Sequence, residues 1–185
     1  MRSLILVCVF FLSLQGIFAQ EFKVDANSKL SVSGTSTLHD WECDVTPKAI
    51  SGNLIAVIEE GTLKAVKDFK FSFPVKAIKS GKSGMDKKTY DALKEEKFPS
   101  ISFTYQNVSI TGNEALFEGN MKIAGVTKTF NAPVKVTYQN GSLWLEGEQS
   151  FELADFKIDP PTAVFGTIKT GKTVTIHYHI NLIHQ

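Results

Sequence analysis

From Leu30 onward apolar and polar residues alternate with a period of two almost without interruption, and a period near 3.6 occurs once. The clearest alternation runs from Val66 to Ile78. Phe69, Phe71, Phe73 and Val75 point to one side and Lys70, Ser72, Pro74 and Lys76 to the other, as in a strand with one buried face. The same pattern predicts strands at Leu30–Thr37, Trp41–Thr46, Ile50–Glu59, Ser100–Ile110, Ala115–Ala124, Lys128–Gln139, Ser142–Leu153 and Thr173–Ile183. Turn-forming residues stand between the runs: Gly61-Thr62, Thr111-Gly112-Asn113, Gln139-Asn140-Gly141 and Thr170-Gly171-Lys172. Asn140-Gly141 is the strongest hairpin signal, because both residues tolerate the positive φ of a type I′ turn.

The helical stretch runs from Met85 to about Lys97. Ser83 and Asp86 have capping-box spacing, and Pro99 lies just beyond the end. Met85, Ala92 and Leu93 share an arc with Tyr90 at its edge, while Lys87, Lys88, Asp91, Lys94 and Glu95 face away. Such a helix serves either as a lid on a barrel end or as simple edge cover. About eight or nine strands, one helix and no βαβ alternation predict an all-β chain, an antiparallel up-and-down barrel of about eight strands. An immunoglobulin-type sandwich is disfavoured by the long strands and by the want of a partner for Cys43.

Eleven of the fourteen phenylalanines lie beyond Ala19. Phe69, Phe71, Phe73, Phe103, Phe117, Phe130 and Phe151, with Met121, Val134 and Leu145, fall on the apolar faces of successive strands. A closed sheet turns one face inward, so these ten residues are predicted to line a common interior. A filled core and a ligand cavity fit the pattern equally well.

The N-terminus changes the picture of where the chain works. Arg2 precedes an apolar run from Leu4 to Leu14, with small Ala19 after it, the layout of a cleaved secretory signal. The run is shorter than the roughly 20 residues that span a bilayer. The expected organisation is therefore a signal peptide over residues 1–19 and a barrel domain over 20–185, periplasmic or secreted and not membrane-spanning. Loss of Arg2 leaves 19 lysines against 19 acidic residues, which argues against nucleic-acid binding. Cys8 lies in the leader, so Cys43 is alone beyond it. In the alternating stretch WECDV it reads as a small buried hydrophobe.

Three patterns suggest other chemistry. Gly166 to Thr173 satisfies the P-loop spacing, but Thr173 opens a period-2 strand where a helix N-terminus is required, so a glycine-bearing turn is the better reading. His177 and His179 share a strand face opposite the apolar Val174, Ile176, Tyr178, Ile180 and Leu182, which predicts solvent rather than a metal. His39-Asp40 are adjacent and point apart, and no nucleophile stands in a recognised setting. Neither enzymatic activity nor a cofactor is expected.

The chain also resembles the YceI-like family of lipocalin-like barrels. The resemblance rests on FKVDANSKLSVSG, GMDKKTYDALKEEKFPSISF, GNMKIAGVTKTFNAPVKV and DFKIDPPTAVFGTIKTGKTVTIHYHINL. Phe98-Pro99 followed by Ile101 and Phe103, together with Gly119 and then Gly125-Val126-Thr127-Lys128, are its more specific parts. It implies an interior channel that holds a polyisoprenoid or related lipid, and non-enzymatic sequestration or transport. The chain departs from the pattern at Asn27-Ser28, where a histidine commonly precedes the serine, and at SGKSGMDKK, where an arginine is usual. Any head group met there would face Lys82, Lys87 or Lys88 as point charges. The alternative is a ligand-free structural or interaction barrel acting through its surface. A homodimer is left open.

Overall fold

A computed structural model describes residues 18–185; the predicted leader up to residue 17 lies outside the described residues. The strands are β1 (Gln20–Val24), β2 (Lys29–Ser36), β3 (Trp41–Val45), β4 (Ser51–Glu59), β5 (Thr62–Pro74), β6 (Ile78–Lys79), β7 (Ser100–Thr111), β8 (Glu114–Ile123), β9 (Val126–Gln139), β10 (Ser142–Glu152), β11 (Thr162–Ala163) and β12 (Ile168–His184), with the helix α1 (Ser83–Ala92) between β6 and β7. All pairings are antiparallel. The sheet runs β1-β4-β5-β7-β8-β9-β10-β12, and β1 pairs β12 to close eight strands into the expected barrel.

Closure differs between the two ends. The C-terminal part of β12 pairs β1 at Phe22↔His184 to Val24↔Leu182, whereas its N-terminal part pairs β2 from Thr170↔Ser36 to His179↔Lys29. From β2 the sheet continues through β3 to β6, which follows β5 after a 3-10 turn at Val75–Ala77. The β1–β4 end is filled: Phe22, Leu54, Leu143 and Leu182 are fully buried there. The β2–β3–β6 end is spanned by α1.

The hairpins follow the chemistry of their residues. Asn140-Gly141 has both φ values positive (53° and 77°), as do Glu60-Gly61 and Ala124-Gly125. In the last pair Gly125 also lies beneath the Phe98 ring: a Cβ there would sit 2.3 Å from the ring. The two motif fragments around Phe98 and Gly125 thus form a single contact.

The structure departs from the sequence expectations at several points. β1 carries alternation too short to be seen from sequence. The strand expected to reach Ile78 ends at Pro74, whose ring removes a donor and lets Val75–Ala77 coil. Thr170-Gly171-Lys172 is no turn. β12 runs through it with a register shift between Thr170 and Val174, and a Cβ on Gly171 would strike the Thr35 hydroxyl at 2.3 Å, so the glycine serves a bulge. The turn lies earlier, at Val164-Phe165-Gly166.

The helix stops at Ala92 instead of near Lys97, because Lys94 adopts a left-handed φ of 54° and the Glu95 amide bonds back to the Tyr90 carbonyl. Ser83 forms no capping bond. Asp86 instead accepts the amide of Ser80 at 2.8 Å and its hydroxyl at 2.6 Å, which ties the helix to the end of β6. Glu95 does not face away but pairs with Lys76 at 3.1 Å.

Gly125→Ala would add a left-handed penalty to an overlap with Phe98. A loss of about 3 kcal/mol in denaturant unfolding is expected. The Ser80 hydroxyl and amide, with Lys79 at 3.9 Å, hold the Asp86 carboxyl below its ordinary range. Its contribution is complete above the unfolded carboxylate value of about 3.9 and is lost as pH falls through the folded value. The gap in melting temperature between wild type and Asp86→Asn should be constant near neutrality and close below about pH 4.

Candidate functional site

Beneath α1 the barrel encloses a cavity of about 510 Å³. The inward faces of the strands form its wall, and all ten residues expected from sequence stand on it: Phe69, Phe71, Phe73, Phe103, Phe117, Met121, Phe130, Val134, Leu145 and Phe151. Phe69 touches Phe71, Phe103 and Phe117 at ring centroid distances of 6.4, 6.0 and 5.7 Å. Phe130 meets Phe151 at 6.0 Å with the rings nearly perpendicular. These tilted and edge-on contacts keep the aromatic wall rigid.

Further wall residues come from elements without a site assignment in the sequence analysis. Leu30 and Val32 of β2, Trp41, Cys43 and Val45 of β3, and Ile176, Tyr178 and Ile180 of β12 all border the cavity. Their period-2 alternation was the available signal. Leu153, which continues the alternation of β10 into a 3-10 turn, also borders it, as does Ile158 from an irregular segment that carries no periodicity. Trp41 lies flat over Gly34, where a Cβ would sit 2.5 Å from the ring, and its indole N–H donates to the Thr35 carbonyl at 2.9 Å.

The helix acts as the lid. Gly84, Met85, Lys88, Thr89, Ala92 and Leu93, at helical spacing, face the cavity. Lys88 therefore does not simply face away. Its stem borders the cavity while its ammonium donates to the Thr162 carbonyl at 2.6 Å, tying the lid to β11. Tyr90 anchors the other side by donating to the Ile78 carbonyl at 2.9 Å. Lys82 also borders the cavity, while Lys87 is exposed and does not.

The charge of the wall is one-sided. Among the described residues Lys82 and Lys88 line the cavity, with the imidazole of His39 near its rim, and no carboxylate does. Cys43 is buried in the wall, and desolvation, reinforced by the charges of Asp86, Asp44 and Glu42, pushes its thiol up to about 11. Burial likewise raises the Tyr178 phenol, whose hydroxyl donates to the Pro133 carbonyl.

The other sequence patterns resolve away from the cavity or into its frame. His39 Nδ1 lies 2.6 Å from the main-chain oxygen of Asp40, so its ring is not oriented by that carboxylate. His177 and His179 sit half-exposed on the outer face beside Glu148 and Glu146, at 3.0 and 3.8 Å. Among the described residues no three histidine, cysteine or acidic side chains gather as a metal site. Gly166 closes the turn before β12 and Ile168 to Thr173 open that strand, so no helix N-terminus follows that could receive a phosphate.

A closed eight-stranded barrel with an apolar interior under a short helix can be compared with known proteins. The family described as YceI-like domain matches residues 21–182. The chain belongs to the YceI-like family. Among solved structures, this YceI-like chain is similar to BcnA of Burkholderia cenocepacia, at 16% identity and a TM-score of 0.71 over 85% of this chain and 98% of that one. A polyisoprenoid binding domain from Saccharophagus degradans, implicated in plant cell wall breakdown, is 10% identical with a TM-score of 0.65 over 89% and 98%. The YCEI protein of Campylobacter jejuni is 14% identical with a TM-score of 0.56 over 65% and 74%. At these identities the likeness is one of fold. No curated protein sequence matches the YceI-like chain. No helix of its described residues is long and apolar enough to cross a membrane.

At pH 8 a thiol titrating near 11 is ionised to roughly a thousandth. Native Cys43 should therefore react with iodoacetamide roughly two orders of magnitude more slowly than a free cysteine, and at the ordinary rate once unfolded, as read by intact mass.

Proposed function

We propose that this YceI-like domain holds a single elongated apolar molecule, a polyisoprenoid or related lipid, and sequesters or carries it without catalysing its conversion. The observation that carries the reading is the cavity of about 510 Å³, walled by phenylalanines and aliphatic side chains, free of carboxylates and roofed by an amphipathic helix. Its size lies within the range of about 300–1,000 Å³ common for ligand pockets. Further support comes from the fold shared with the polyisoprenoid binding domain from Saccharophagus degradans. Phe69, Phe71, Phe73, Phe103, Phe117, Met121, Phe130, Val134, Leu145 and Phe151 are proposed to contact the bound chain.

Each methylene moved from water into this wall contributes about 0.8 kcal/mol, so about ten of them give roughly 8 kcal/mol before the cost of immobilisation. Affinity of this origin selects by length and cross-section. The apolar segment near the N-terminus is proposed to export the chain and to be removed after Ala19, which places the carrier in the periplasm or outside the cell.

Native mass spectrometry of detergent-free protein, followed by organic extraction, tests the reading. A released hydrocarbon-rich molecule is expected. A protein that is empty and takes up neither polyprenyl nor fatty-acyl lipids overturns it, leaving an interaction barrel. Ala132→Phe, which fills part of the cavity from β9, should weaken lipid uptake at least about tenfold while leaving the melting temperature unchanged or raised.

A further inference from the structure

Six large apolar residues among those described are strongly exposed, and three of them stand together in the fold. Leu38 is 66% exposed in the β2–β3 loop, and Val164 (61%) and Phe165 (fully exposed) form the tip of the β11–β12 hairpin. The two loops are joined: the Thr37 amide donates to the Lys169 carbonyl at 3.0 Å, the Lys169 amide donates to the Thr37 hydroxyl at 3.1 Å, and that hydroxyl lies 3.3 Å from the Thr167 carbonyl. Both loops border the cavity through Leu38, His39, Ala163 and Ile168.

The surrounding charge is equally uneven. Segments 36–41, 79–93 and 157–172, which supply the lid and the cavity mouth, carry seven lysines against four aspartates, whereas the rest of the chain beyond Ala19 carries twelve lysines against fifteen acidic residues. A chain balanced beyond Ala19 has thus placed a net charge of +3 around one opening and −3 over the remainder. Exposed apolar side chains on loops that also carry an excess of lysines match a bilayer interface, where the former enter the headgroup boundary and the latter meet anionic lipid.

We propose that the mouth of the barrel docks on an anionic lipid surface, with Phe165, Val164 and Leu38 inserted and the lysines of the rim over the headgroups. The docked barrel holds its opening against the membrane, so a lipid passes between bilayer and cavity without crossing water. That transfer role rests on the carrier reading, while the docking does not.

The test is flotation of the protein, purified in the form the cell delivers, with vesicles of phosphatidylcholine alone or mixed with phosphatidylglycerol. Wild type should float with the mixed vesicles, less so in high salt. Phe165→Asp should reduce the apparent affinity roughly tenfold or more, because it replaces the ring that enters the headgroup boundary by a charge. Leu116→Asp, on the outer wall of β8, should float like wild type, and matching melting curves exclude misfolding. Wild type that ignores mixed vesicles, or Phe165→Asp that floats equally well, overturns the proposal. So does hairpin-dependent self-association without vesicle binding, which would make a second copy the occupant. Native mass spectrometry on the same samples separates the two readings: bound lipid without flotation refutes docking alone, and flotation of a protein that takes up no lipid refutes the carrier alone.

Discussion

The architecture depends on how one edge of β12 is divided. Seventeen residues long, this strand pairs β10 along one side, and its other side is shared between two partners that never meet in one ladder, β1 toward its C-terminus and β2 toward its N-terminus. An unshared edge would expose a row of unpaired amides and carbonyls. Division of that edge also decides the interior. On the β1 side the short closure through β4 draws the strands together over Phe22, Leu54 and Leu182, which fill the space. On the β2 side the path runs through β3 and β6, and α1 covers the space that side chains do not fill.

Close approach of rings to glycines does for this barrel what larger side chains do in most cores. Trp41 over Gly34 and Phe98 over Gly125 each occupy the place of a missing Cβ. One pins the rim of the cavity and the other pins the segment that leads from the lid into β7. Phe98 follows the helix by only a few residues, so its seat on Gly125 fixes where the lid can lie.

Most of the wall was legible because a β-strand has a period of two: once Phe69, Phe71 and Phe73 are taken as inward, closure brings Phe103, Phe117 and Phe130 to the same interior. The Asn140-Gly141 turn was legible because few residue pairs accept two positive φ values. Other features were hidden for physical reasons. Gly171 has the same composition whether it serves a turn or a bulge, and only its partner Thr35, more than a hundred residues away in sequence, decides between them. The helix end at Lys94 lacks the glycine that usually marks one. Lys88 and Glu95 look outward on a helical wheel, but a long stem or an ion pair brings each of them in. Whether the interior was filled or open could not follow from periodicity, because both demand the same alternation.

The ladder between β9 and β10 stops at Lys135↔Glu146, although both strands continue. Beyond that point Pro133 has no amide to offer, and its carbonyl is met by the phenol of Tyr178 from β12, while the 3-10 turn at Leu153–Phe156 buries Leu153 and Phe156 nearby. The cylinder therefore has a seam, closed along part of its length by one hydroxyl and a turn of chain instead of a row of backbone bonds. Circumference is elastic at a seam and stiff at a ladder, so girth can change along this line at smaller cost than along the full ladders that join β7 to β8 and β8 to β9.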